Sequence, residues 1–292
     1  MGVSLFLPRG RSLELDGRAL VMGIVNATPD SFYPESRRKG AIEARDAALR
    51  MEAAGAAIVD LGGESTRPGS EYVGLEEELE RVVPVVEAIR KESDVPISVD
   101  TRKAAVASAA LDAGADIIND VAALAHDPEM AAVVAGHGVP VVLMHMLGDP
   151  KTMQHSPVYS DCPAEVRAFL VAAAERAQKA GIGRDRIILD PGIGFGKRLE
   201  DNLAVLSRLD ELVAEGYPVL VGLSRKAFVG AITGRQVEGR LAGSLGAACA
   251  AFAKGARIFR VHDVDETVDA LAVLASSLGG RALSRPAKEE TR

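Results

Sequence analysis

AAGAAIVD (residues 53–60), DAGADIIND (112–120) and AKGARIFRV (253–261) share one grammar: a small-residue helix end, a glycine, then an apolar run that closes on a polar side chain. Glycine is the residue that most readily takes the left-handed conformation ending a helix. The apolar run that follows reads as a strand buried on both faces, the mark of a parallel sheet. One helix-to-strand joint written three times implies a closed repeat of αβ units. Working outward, further strand patterns lie at ALVMGIVN (19–26), VPISVD (95–100), VPVVLMH (139–145), RIILD (186–190) and YPVLVG (217–222), which brings the total to eight. Helical patterns separate them, among them AIEARDAALRMEAAG (41–55), GLEEELERVVPVVEAIRKES (74–93) and EVRAFLVAAAERAQKAG (165–181), with Pro84 marking a kink or restart in the second. Eight such units in 292 residues is the arithmetic of an α/β (β/α)8 barrel, with a doubly wound open sheet as the alternative. Within residues 1–17, SLFLPRGRSLELDG reads as a short N-terminal β-hairpin, and SRPAKEETR (284–292) as a frayed tail. No linker divides the chain, so residues 1–292 are expected to form a single domain.

Composition narrows the function classes. Hydrophobic residues at 48% and charged residues at 26% exclude wholesale disorder. No apolar run approaches the ~20 residues of a membrane span, and the N-terminus lacks a secretory pattern, so a cytoplasmic location is expected. A net charge of -7 disfavours a nucleic-acid or anionic-membrane surface, so any anionic ligand needs a local cluster of cations. Cys162 and Cys249 are the only cysteines, which excludes a disulfide framework and a cysteine-based zinc site.

The polar residues gather where barrel enzymes keep their chemistry, at the C-terminal ends of the strands. In order these are Asn26, Asp60, Asp100, Asn119 with Asp120, His145, Asp190, then Ser224-Arg225-Lys226, then Arg260 and His262. Any one carboxylate there could simply cap the next helix. Their convergence on one rim points instead to a site. Arg260 and His262 are two residues apart and project to the same side of a strand. With Lys226 they form an anion site after the seventh and eighth strands, the usual phosphate position of the fold. A salt bridge from Arg260 to Asp263 or Asp265 is the structural alternative. The segments 27–40 and 62–74 read as long, lid-like loops. DPGIGFGK (190–197) is not a nucleotide P-loop, because Arg198 follows Lys197 where Ser or Thr is required.

Eight fragments, in order along the whole barrel, resemble the dihydropteroate synthase family: MGIVNATPDSF (22–32), DLGGESTRPG (60–69), SVDT (98–101), INDV (118–121), LMHMLGDPKTMQ (143–154), DPGIGFGK (190–197), GLSRK (222–226) and RVHDV (260–264). The resemblance implies a TIM barrel that joins 6-hydroxymethyl-7,8-dihydropterin diphosphate to p-aminobenzoate, giving 7,8-dihydropteroate and pyrophosphate in folate biosynthesis with Mg2+. It implies pterin contacts from Asp100, Asn119, Met144, Asp190, Phe195, Gly222 and Lys226. It implies diphosphate contacts from Asn26, Arg67, Arg260 and His262, with Asn26 the Mg2+ ligand. For p-aminobenzoate it implies Phe32, Thr66, Arg67, Pro68, Phe195 and Ser224. Asp100, Lys226, Arg260 and His262 would act in catalysis, and the chain would form a homodimer through its late helices. The first loop departs from the family where YPESRRKG (33–40) replaces a short Ser-Asp-Gly-Gly stretch. The pterin-binding domain of a corrinoid-linked methyltransferase and a non-catalytic pterin-binding paralogue are the competing readings.

Overall fold

The computed structural model describes residues 4–26, 34–65, 69–149, 151–154 and 156–279. An antiparallel hairpin of β1 (Ser4–Phe6) and β2 (Ser12–Glu14) precedes the barrel. Strands and helices then alternate: β3 (Leu20–Asn26), α1 (Pro34–Ala53), β4 (Ile58–Gly62), α2 (Leu75–Arg90), β5 (Ile97–Asp100), α3 (Ala104–Asp112), β6 (Ile117–Asp120) and α4 (Met130–His137). The second half continues with β7 (Val141–Met144), α5 (Cys162–Lys179), β8 (Ile187–Asp190), α6 (Leu199–Ser207), α7 (Leu209–Val213), β9 (Leu220–Gly222), α8 (Ala227–Thr233), α9 (Leu241–Ala253), β10 (Ile258–Val261) and α10 (Val264–Ser277).

Strands β3 to β10 form one parallel sheet in the order β8-β7-β6-β5-β4-β3-β10-β9. Its two ends meet, because Leu189 bridges Val219 and the Leu189 amide donates to the Pro218 carbonyl at 2.9 Å. The ring is therefore a barrel and not an open sheet. The joints that suggested it behave as read: Gly55, Gly114 and Gly255 have φ of 102°, 112° and 103°. Two expectations are corrected. Helix α1 begins at Pro34 rather than near residue 41, so residues 34–40 belong to it and not to a loop. Proline suits the first helical turn, where its missing N–H would have no partner anyway. Pro84 neither breaks nor restarts α2, which runs unbroken around it.

Side-chain parity divides the barrel into layers. Val21, Val59, Val99, Ile118, Leu143, Leu189, Val221 and Phe259 point outward into the core shared with the helices. Leu20, Met22, Ile58, Ile117, Val142, Ile188, Leu220 and Ile258 fill the interior together with Leu5, Leu7 and Leu15 of the hairpin region. The hairpin thus plugs the N-terminal end with apolar side chains. Around that plug Arg9, Arg11 and Arg90 converge on the fully buried carboxylate of Asp116. The floor is apolar, and most of the inward side chains above it are polar.

Candidate active site

Two residues above this floor, on the same inward parity, come Asp60, Asp100, Asn119, Met144, Asp190, Gly222 and Arg260. The sequence alternates because each strand must first close the apolar floor and then open toward the mouth.

Arg260 is the centre of this ring. Its Nε donates to Oδ2 of Asp60 at 2.6 Å and its Nη2 to Oδ2 of Asp100 at 2.9 Å. Asn119 turns its amide nitrogen toward both oxygens of Asp60, at 3.5 and 3.4 Å. Asp263, the alternative partner expected for Arg260, is paired with Arg225 instead, Nε to Oδ2 at 2.9 Å. Burial pushes the Asp100 carboxyl up to about 8; Arg260 opposes that rise, and the charge of Asp60 adds to it. Burial works against the Arg260 charge too, but the carboxylates of Asp60 and Asp100 outweigh it and hold the guanidinium ionised.

Across the ring, Lys226 lies with Asp190. Burial brings the Lys226 ammonium down to about 8, with Asp190 holding it up and Arg260 pressing it lower. Its Nζ donates to the Ile193 carbonyl and sits 4.6 Å from the centroid of the Phe195 ring. Asp190 is raised by burial, while Lys226 and the Gly192 amide, which donates to Oδ1 at 2.7 Å, favour its charged form. Gly222 lies beside the Lys226 stem, where a Cβ would stand 3.6 Å from Nζ, an ordinary contact distance. Met144 is buried on the neighbouring wall. These groups offer a carboxylate, an amide and an ammonium around a slot with apolar walls. That donor set suits a flat heterocycle with a polar edge.

At the mouth, Ser224 Oγ lies 3.1 Å from Nδ1 of His262 and accepts the His262 amide at 3.3 Å. The parity expected of Arg260 and His262 does not carry through, because β10 ends at Val261 and His262 lies in the bend beyond it. Arg260 reaches down into the ring, and His262 engages the turn after β9. Asn26 ends β3 with its residue exposed, and Gly62 pairs with both Asn26 and Asp100 across the sheet. Phe32, Thr66, Arg67 and Pro68 lie outside the described residues. The structure therefore brings together Asp100, Asn119, Met144, Asp190, Phe195, Gly222, Lys226 and Arg260, with Ser224 and His262 above them.

Three further groups were not assigned from sequence. Asp60 was read only as a strand end, although it is fully buried within the ring. Lys197 is buried, lies 2.9 Å from His145 Nδ1 and donates to the Gly192 and Phe195 carbonyls at 3.0 and 3.1 Å. It pins the loop that carries Phe195. Glu64 accepts from Lys103 at 2.6 Å and from Arg102 at 2.5 Å, and Lys103 also reaches Glu78. That cluster ties the start of the loop after β4 to the turn after β5. Parity would have found Asp60, since Ile58-Val59-Asp60 repeats the spacing of Ile117-Ile118-Asn119 and Ile188-Leu189-Asp190.

Comparison with known proteins agrees with this architecture. The family described as pterin binding enzymes matches residues 22–262. Dihydropteroate synthase of Escherichia coli strain K12 is 46% identical over 277 residues, 95% of this chain and 98% of that protein. Among solved structures, Xanthomonas albilineans dihydropteroate synthase with 4-aminobenzoic acid is 47% identical and superposes with a TM-score of 0.88, covering 95% of this chain and 99% of that one. The same enzyme in complex with 7,8-dihydropteroate is 46% identical over 92% of this chain and 97% of that one, with a TM-score of 0.82. The fold and matching region define a pterin-binding barrel. More narrowly, the chain belongs to the dihydropteroate synthase family, transferases of folate synthesis.

Proposed function

We propose that this chain condenses 6-hydroxymethyl-7,8-dihydropterin diphosphate with p-aminobenzoate, releasing pyrophosphate and giving 7,8-dihydropteroate. The observation that carries this reading is the inward ring of Asp100, Asn119, Asp190, Lys226 and Arg260 standing on a closed apolar floor. Asp190 would accept hydrogen bonds from the donor edge of the pterin, and Asn119 and Lys226 would fix its other polar atoms. Met144, Phe195 and Gly222 would wall its faces. Arg260 and His262, with Arg67 from the second loop, would hold the diphosphate. Phe32, Thr66, Arg67, Pro68, Phe195 and Ser224 would form the aryl pocket.

Rupture of the CH2–O bond leaves positive charge on the pterin methylene and negative charge on the diphosphate. Arg260 meets the second, and positive charge growing on the pterin favours the ionised form of Asp100, which offsets the first. The aryl amine is uncharged at neutral pH and attacks without a strong base, which accords with a ring holding no nucleophile–base pair among the described residues. Among the described residues no three His, Cys, Asp or Glu side chains gather to hold a metal. Mg2+ habitually uses one or two protein oxygens with phosphate and water, and the Asn26 amide oxygen fits that donor set. When bound, Mg2+ would neutralise diphosphate charge.

Exposed apolar side chains in and beside the late helices, Ile232, Val273 and Leu278, favour a homodimer through those helices. No helix among the described residues is long and apolar enough to cross a membrane, which supports the cytoplasmic reading. The test supplies both substrates with Mg2+ and follows pyrophosphate release and dihydropteroate formation together. Release of pyrophosphate that does not depend on p-aminobenzoate would refute the synthase reading.

A further inference from the structure

Asp60 is a fully buried carboxylate that fixes no turn of its own. Asp120 and Asp190 close β6 and β8 and accept backbone amides, Asp120 from Ala122 and Leu124 at 2.8 Å each, Asp190 from Gly192 at 2.7 Å, whereas Asp60 stands in the middle of β4. Asp120 and Asp190 therefore fix their own turns. Asp60 accepts no backbone amide among the described residues. Its bonds go to Arg260 Nε at 2.6 Å and to the Asn119 amide at 3.5 and 3.4 Å. A carboxylate with no exposure is costly to keep unless something uses its charge, and apolar replacements of buried ion pairs are often as stable or more so.

Geometry supplies the reason. An arginine gripped only through one terminal nitrogen can swing about that bond, whereas simultaneous bonds at Nε and Nη2 fix the guanidinium plane. Asp60 grips the Nε edge and Asp100 the Nη2 edge, from adjacent strands β4 and β5. The same Asp60 carboxylate orients Asn119 on β6. We propose that Asp60 is a positioning residue that locks Arg260 against the barrel wall and aligns Asn119, so that the anion end and the ring end of the site are set by one carboxylate. This rests on the synthase reading and extends it to a residue that touches neither substrate.

A double-mutant cycle with Asp60→Asn and Arg260→Ala tests it, with kcat and KM measured for the pterin diphosphate. Wild-type turnover, measured first, tests the synthase reading by itself. If Asp60 acts through Arg260, D60N lowers kcat/KM at least about 10-fold in the wild-type background, the range of a lost charged hydrogen bond, but less than about threefold in the R260A background. Equal losses in both backgrounds, whatever the melting temperature, would overturn the proposal. Should D60N fail to fold, wild-type protein still decides. The Nε–H resonance of Arg260 in nitrogen-15 spectra is expected to be protected from exchange and to stay so on adding pyrophosphate with Mg2+. Rapid exchange, or loss of protection with pyrophosphate, would show that Asp60 does not hold the guanidinium.

Discussion

Lys197 holds its side-chain nitrogen 2.9 Å from Nδ1 of His145, within hydrogen-bond reach. Burial first, then the Lys197 charge, brings His145 down to about 3. Burial brings Lys197 itself down to about 7. The pair closes the loop after β8 against the strand end at β7. The contact is so close there that a Cβ on Gly192 would lie 1.9 Å from the His145 carbonyl oxygen.

Replacing Lys197 with Met should therefore loosen the Phe195 loop. It orphans the Gly192 and Phe195 carbonyls, at about 1–3 kcal/mol each, and should raise KM for p-aminobenzoate more than KM for the pterin. The pH dependence has a definite sign. A lysine whose folded value lies below its unfolded 10.5 binds fewer protons when folded, so its contribution to stability rises as pH climbs from about 7 toward 10.5. Urea unfolding at pH 6 and pH 9 should show the wild type gaining on K197M. A gap that is constant or shrinking would mean Lys197 remains charged in the fold.

Asp100 predicts the opposite slope. Its folded value of about 8 lies above the ordinary 3.8, so the stability it contributes is complete below about pH 4 and is lost as pH rises through 8. Asp100→Asn removes that titration. Thermal melts of both proteins from pH 4 to pH 9 should show the wild type losing ground to D100N across this window, even though D100N is expected to be catalytically impaired throughout. Parallel melting curves would place the Asp100 carboxyl in the normal range.

The barrel and most of its ring were legible because period-two parity and the helix-ending glycines are local signals. The eight strand positions followed from apolar runs bounded by Gly and polar residues, and only their ends shifted. Asp60 was visible on the rim but without a role, because a buried carboxylate that serves another side chain looks, in one dimension, like any strand-end cap. Lys197 escaped for a related reason, since its partners sit on two different loops. The Arg225–Asp263 pair spans 38 residues, and charge alone made Arg260 as good a partner for Asp263. Long-range pairing needs the fold before it can be assigned.

At the opposite end of the barrel, Asp116 accepts from Arg90 at 2.8 Å and from the Ile97 amide at 2.9 Å, besides its contacts to Arg9 and Arg11. Asp116→Asn leaves three arginines around a neutral amide. Because those arginines are partly exposed, the cost should be about 2 kcal/mol rather than the larger figure of a fully buried pair. The cluster lies on the floor side, away from Arg260, so kcat and both KM values of the folded fraction should be unchanged. An altered KM without loss of stability would show that the barrel base communicates with the site.

Arg225 carries the last prediction, because its backbone rather than its charge places its neighbours. Its φ is 56°, a left-handed conformation that costs a non-glycine residue about 1–2 kcal/mol. Three bonds hold it there: its amide donates to Ser244 Oγ at 2.8 Å, its carbonyl accepts from Arg240 at 3.1 Å, and its Nε donates to Asp263 at 2.9 Å. The result is a turn that sends Lys226 into the ring and leaves Ser224 against His262. Arg225→Ala removes the side-chain tether but keeps the steric cost, so the turn should relax and kcat/KM should fall about 10-fold. Arg225→Gly loses the same tether yet takes the left-handed conformation freely, so its activity should lie between the two. The pair is partly exposed, and either variant should melt within about 1 kcal/mol of wild type. Steady-state kinetics on the three proteins checks the order. If Ala and Gly are equally active, the strain at Arg225 does not govern the site, and Lys226 owes its place to the barrel wall alone.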